Sequence, residues 1–189
     1  MPNIQDLLTL RREMMGCKQH KDQTILQHGE AVLERYLDLI GDGRLHWELP
    51  DWWYIYGHRL INDQPPAEVM STYLIYHDCG KPRCRTVDAD GRQHFPNHEN
   101  VSADLWLSIG GSPQVAELMR HDMDMHRLNA TQARDYPNMH LVAPLLCSAL
   151  AELHANADMF GGLESTSFKI KFKQLSRAGS VLCHQLYQE

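Results

Sequence analysis

The 189-residue chain has no apolar run near the roughly 18 residues that a membrane-spanning helix needs. Its start, Met1-Pro2-Asn3-Ile4-Gln5-Asp6, lacks the basic-then-apolar order of a secretory leader. Cysteine is scarce and odd in number. Cys17, Cys79, Cys84, Cys147 and Cys183 are far apart in a chain long enough to bury a core without staples. That excludes a disulfide framework and points to reduced thiols and a cytoplasmic location. Excess positive charge is also missing: a net charge of −6 argues against coating nucleic acid, though a local basic patch fits. Without an internal repeat, a low-complexity tract or a Pro/Gly/Ser-rich linker, residues 1–189 read as one domain. Neither a GxSxG serine elbow nor a phosphate-cradling Gly-rich loop occurs, so covalent and nucleotide-driven catalysis lack support.

Histidine is what the sequence has in excess. Twelve of them run from His20 to His184 without forming a tag, and at that density metal chemistry is the first hypothesis to test. Apolar residues make up 43% of the chain, enough for a core, and their spacing is helical. Ile4 to Met15 predicts a first helix. Asp22 or Thr24 caps a second, which runs to Ile40 and stops at Gly41-Asp42-Gly43. Its inward face is Ile25, Val32, Leu33, Tyr36, Leu37 and Ile40. His28, three after Ile25 and four before Val32, shares that face. Residues 44–64, His46-Trp47 through Trp52-Trp53-Tyr54-Ile55-Tyr56, read as a loop with a short helix. Pro65-Pro66 starts a helix to about His77. Residues 85–95, β-prone around Asp90-Gly91, predict a hairpin. Further helices fall at about 98–109, 113–126, 139–156 and 164–185, with Ser112 and Pro113 starting one and Pro137 preceding another. The expected fold is all-α, a compact helical bundle with one small β-hairpin.

The sharpest local feature is His77-Asp78-Cys79-Gly80-Lys81-Pro82. At a helix end, adjacent imidazole and carboxylate groups reach one cation. Together they suit Mn, Fe, Co, Ni or Zn. Gly80 and Pro82 end the helix, and Lys81 projects a positive charge beside the ion. The pair alone is cheap, since His121-Asp122 repeats it.

The order of residues is more specific. His28, His77-Asp78, His98, His121 and Asp158 follow one another in a series that resembles the HD-domain metal-dependent phosphohydrolases. Tyr76-His77-Asp78-Cys79-Gly80-Lys81-Pro82, the hairpin and Phe95-Pro96-Asn97-His98-Glu99-Asn100-Val101-Ser102-Ala103 look like the HD domain of bacterial tRNA nucleotidyltransferases. They are also similar to the HD phosphoesterase domain fused to bacterial polynucleotide kinases. The resemblance covers about residues 25–160, and with no nucleotidyltransferase or kinase motif the domain is expected to stand alone. It implies an all-helical fold and a metal core of His28, His77, Asp78 and Asp158. His98 and His121 match positions that hold a second ion or touch phosphate, and Lys81 matches a lysine that contacts substrate phosphate. The implied substrates are 2′,3′-cyclic phosphates and 2′-phosphates of nucleotides or RNA ends.

Residue chemistry fits such a reaction. One or two divalent ions (Mn, Ni, Co, Fe, Zn or Mg) activate a water, Asp78 bridges ions or orients that water, and His98, His121 and Lys81 offset charge on the phosphoryl oxygens. Lys81, Arg83, Arg85 and Arg92 cluster about the hairpin, and Arg83 and Arg85 with His126 are candidate substrate contacts. His126 replaces His121 as ligand if its helix ends later, and Glu152 and His154 compete with Asp158. Lys169, Lys171, Lys173 and Arg177 form a second basic stretch, either phosphate-binding or merely solvated. The aromatics of 47–56 either stack a base or fill the core. Other readings are an HD-type nucleotidase or nucleoside-triphosphate hydrolase, or a non-catalytic nucleotide- or nucleic-acid-binding protein with a structural metal. Cys79, Cys84, His94 and His98, spaced C-x4-C-x9-H-x3-H, pose a zinc-finger alternative whose central stretch is short. No membrane association or protein partner is indicated.

Overall fold

Side-chain caps start the first two helices. Asn3 Oδ1 accepts a bond from the Gln5 N–H at the head of α1 (Ile4–Gly16). Thr24 and Gln27 exchange bonds of 3.2 and 2.9 Å, a capping box that begins α2 (Ile25–Ile40). Thr24, not Asp22, is therefore the cap. The computed structural model describes residues 2–20, 22–41 and 47–188. Asp42 and Gly43 of the expected helix stop, and His46 with the rest of 44–46, lie outside the described residues.

The remaining helices are α3 (Asp51–Asn62), α4 (Ala67–Tyr76), α5 (Lys81–Cys84), α6 (His98–Ser108), α7 (Pro113–Arg120), α8 (Asp124–Arg127), α9 (Val142–Ala155) and α10 (Thr166–Tyr187). The fold is all-α, as expected. The predicted hairpin is present, with β3 (Thr86–Val87) antiparallel to β4 (Gln93–His94) and Thr86 opposite His94. A second ribbon, β1 (Lys18–His20) with β2 (Gln23–Thr24), was not expected, because strands this short carry no alternation to read. The expected 113–126 helix divides into α7 and α8. At the break His121 and Asp122 N–H groups donate to carbonyls three residues back, Leu118 and Met119, tightening the last turn. The 139–156 helix opens with a 3-10 turn, Met139–Leu141. On α2, Leu37 is exposed and Leu39 buried, contrary to the assigned face.

The chain divides into two compact units, Met1–Ala31 with Glu68–Asp122, and Val32–Ala67 with Met123–Glu189. In the first unit two glycines allow close backbone approach. A Cβ on Gly29 would stand 2.2 Å from the Ile75 carbonyl oxygen, so α2 and α4 touch only because Gly29 has none. That contact sets His28 beside the end of α4. A Cβ on Gly80 would meet Ser102 N at 2.5 Å, and the Gly80 N–H donates to Ser102 Oγ. This seats α6, headed by His98, against the turn that follows α4.

The second unit forms around α9, which is buried from Val142 through Ala151 and packs on α3 and α10. The aromatics of 47–56 mostly enter this core. Trp52 and Trp53 are buried, Tyr56 stacks on Tyr187, and Trp47 stacks on His154 at 4.2 Å, while Tyr54 is exposed. Among the described residues no helix is long and apolar enough to cross a membrane.

Candidate metal centre

The first unit buries three metal-type donors together. His28, His77 and Asp78 are 0%, 2% and 1% exposed, and each offers a ligand atom within 4.8 Å of the others. His28 comes from α2, and His77 and Asp78 from the turn where α4 ends. Asp78 Oδ2 lies 3.4 Å from His77 Nε2 and 3.8 Å from His28 Nε2. Donors each about 2.1 Å from one ion at tetrahedral angles stand roughly 3.4 Å apart, so these separations match the edges of one coordination shell.

Ring orientation suits the same purpose. The Nδ1–H of His77 donates to the Leu74 carbonyl at 2.8 Å, which turns Nε2 toward Asp78. His98 repeats the arrangement, with Nδ1 on the Phe95 carbonyl at 3.0 Å and Nε2 3.4 Å from Asp78 Oδ1. Burial alone would push the Asp78 carboxyl up. Lys81, then His77 and His28, outweigh it and hold the group well below the ordinary carboxylate range, so it is an anion. Its Oδ1 is fully buried and accepts no hydrogen bond. A buried anion with an unmet acceptor and two imidazole Nε2 atoms facing it is a donor set that fits a divalent cation.

Lys81 Nζ donates to Asp78 Oδ2 at 2.6 Å and to Gln19 Oε1 at 3.1 Å, and lies 5.5 Å from the Phe95 ring centroid. His98 is the least buried of these side chains, 12% exposed, and its Nδ1 stands 3.5 Å from Glu99 Oε2. It begins α6 directly after Asn97, whose φ of 57° is left-handed, a conformation that asparagine tolerates better than most residues.

Among the described residues the other sequence candidates are not members of the His28–His77–Asp78 group. His121 is half-buried and follows α7. Asp158 belongs to the second unit, where it is exposed on the 3-10 turn Asp158–Phe160. His126, also in that unit, bonds Glu152 at 2.8 Å and lines a cavity of about 20 Å³ with Lys171 and Gln174. His154 is buried, its Nδ1 on the Leu150 carbonyl and its ring against Trp47 and Phe168. Arg83 forms a two-pronged pair with Glu13, and Arg85 Nε donates to Gln93. With Lys18 these two arginines line a first-unit pocket of about 480 Å³.

Asp122, notable in the sequence only for repeating the His-Asp pair, comes close to His77. It is buried, accepts the Tyr73 hydroxyl at 2.5 Å, and has a carboxylate oxygen within 4.8 Å of a His77 ring nitrogen. Its position, three after Met119 and four after Leu118 on the buried face of α7, was the available signal. Gln19, the second acceptor for Lys81, had none, because β1 was unread.

The zinc-finger alternative fails on geometry. Cys79 is buried with its thiol pushed up to about 12 by burial, and His94 Nε2 is held by Asp88 at 2.8 Å. Among the described residues these groups form no metal-capable cluster with Cys84 and His98. Compared with known proteins, the chain matches no family model, no curated protein and no solved structure.

Proposed function

We propose that the first unit carries a metal-dependent phosphohydrolase centre of the HD type. The carrying observation is the convergence of His28, His77 and Asp78 in a buried pocket with the Lys81 ammonium alongside. His28, His77 and Asp78 would hold the ion, which supplies Lewis acidity and lowers the pKa of water. The chain's own groups do the rest. Leu74 fixes the His77 ring, and Asp78 serves as the charged anchor of the site. Lys81 compensates charge developing on phosphoryl oxygens. His98 Nε2, at the solvent-facing edge, is placed to hydrogen-bond the substrate phosphate or its leaving oxygen.

Substrates of this reading are small phosphoesters, with 2′,3′-cyclic phosphates and 2′-phosphates of nucleotides or RNA ends preferred on the resemblance in the His77–Pro82 and Phe95–Ala103 stretches. The basic pocket of Lys18, Arg83 and Arg85, two residues beyond Lys81, supports a nucleotide or RNA end as partner. Mn, Ni, Co, Fe, Zn and Mg are the candidate ions. The five cysteines are free thiols, which suits a cytoplasmic setting. The test is phosphate release from 2′,3′-cyclic nucleotides, 2′- and 3′-nucleotides and nucleoside triphosphates with each metal in turn. Turnover of the triphosphates alone would favour the nucleotidase branch, and turnover of none would favour a binding protein.

A further inference from the structure

The cation nearest Asp78 is the chain's own. Lys81 Nζ sits 2.6 Å from Asp78 Oδ2, the oxygen that also faces His77 Nε2 and His28 Nε2 at 3.4 and 3.8 Å. An ion taken up by those three residues draws on that same oxygen. An ammonium and a divalent ion sharing one buried carboxylate oxygen stand only about 3–4 Å apart with little water to screen them, so they repel strongly. The Asp78–Lys81 pair is neutral by itself. An ion that claims the carboxylate takes the Asp78 oxygen from an ammonium that is only 7% exposed. Gln19 Oε1 at 3.1 Å and the Phe95 ring at 5.5 Å give Lys81 a neutral berth beside Asp78, an amide acceptor and an aromatic face.

We propose, resting on the metal-centre reading above, that Lys81 and the metal compete for Asp78. Metal uptake moves the Lys81 ammonium off Oδ2 toward Gln19 and Phe95, and only then does it serve as the receptor for the substrate phosphate. Binding is therefore ordered, metal before anion. The two ligands are also coupled, each tightening the other, because phosphate gives the displaced ammonium a new counter-ion.

The test uses the full chain, stripped with chelator, and Mn(II) and inorganic phosphate as probes. Competition against a chromophoric chelator reads the Mn affinity. Lys81→Met keeps the side-chain length without the charge, and should bind Mn on the order of tenfold more tightly than wild type, because the competing pair is gone. Phosphate should tighten Mn binding in wild type and not in the variant. An Mn affinity in Lys81→Met equal to or weaker than wild type overturns the proposal. So does an equal gain in Lys169→Met, which removes an exposed second-unit lysine paired with Glu164 and so reports net charge alone. If Lys81→Met fails to fold, acetylation of wild type answers the same question. Mn should raise the labelling rate of Lys81 relative to Lys18 and Lys171, and an unchanged or lower rate overturns the exchange. His77→Ala separates the two levels. Undiminished Mn binding there removes the metal-centre reading and the exchange with it, whereas lost binding there with unchanged affinity in Lys81→Met removes the exchange alone.

Discussion

His77 Nδ1 donates to the Leu74 carbonyl at 2.8 Å, one turn back along α4, and this bond aims the other ring nitrogen at Asp78. The ring is thus fixed by its own helix, and its Nε2 faces a carboxylate that is held anionic. A glutamine at 77 could keep neither the aim nor the donor. His77→Gln is expected to fold while losing on the order of 10–100-fold in metal affinity, measured by chelator competition with thermal unfolding as control.

Gly29 sets the distance between the two helices that carry His28 and His77. A methyl group there would press into the Ile75 carbonyl at 2.2 Å, backbone against backbone, where no side chain can swing aside. Gly29→Ala should cost about 1–3 kcal/mol despite its better helix propensity, and should weaken metal binding as well. Urea unfolding measures the first and chelator competition the second. A stabilised variant would show that α2 and α4 are not in this contact.

The buried carboxylate of Asp122 takes its hydroxyl donor from Tyr73, whose ring lies edge-on to His77 with centroids 6.3 Å apart. Tyr73→Phe removes that donor and should destabilise the protein by about 1–3 kcal/mol. Tyr73→Phe and Asp122→Asn together should cost less than the sum of the two single changes, read from denaturant midpoints in a double-mutant cycle.

His154 makes the second unit acid-sensitive. Burial lowers its pKa from the ordinary 6.5, outweighing the help of the Leu150 carbonyl, and the Arg35 charge pushes the same way. The unfolded chain therefore binds this proton first as pH falls. The stability from a neutral His154 is intact above about 6.5, is lost as pH drops through that value, and the loss levels off below the folded pKa. His154→Phe, which keeps a ring between Trp47 and Phe168, should show a smaller drop in unfolding midpoint between neutral and mildly acidic pH.

Much of the fold was legible where local chemistry decides it. Thr24, one of two candidate caps, marks the start of α2, Asp90-Gly91 the turn of the hairpin, and the Ile25–His28–Val32 spacing the inward set of His28. Periodicity failed on Leu37 because Val32, Tyr36 and Leu39, spaced by four and three, define the buried stripe that Leu37 just misses. Reading one helix through 113–126 hid the turn after Arg120 that separates α7 from α8. Gln19 was invisible because its ribbon is too short to show a pattern. The Lys81 charge beside His77-Asp78 was legible in the motif, while its direct bond to Asp78 Oδ2 at 2.6 Å depends on how the chain leaves α4.

The most direct measurement is metal content and phosphate release on the same purified protein, wild type beside His77→Ala. The account predicts stoichiometric divalent metal in wild type, metal-dependent hydrolysis of a 2′,3′-cyclic nucleotide or 2′-nucleotide, and loss of both in the variant without loss of fold. Wild type that binds no metal and releases phosphate from none of the esters, or a His77→Ala protein with wild-type metal and turnover, would contradict it.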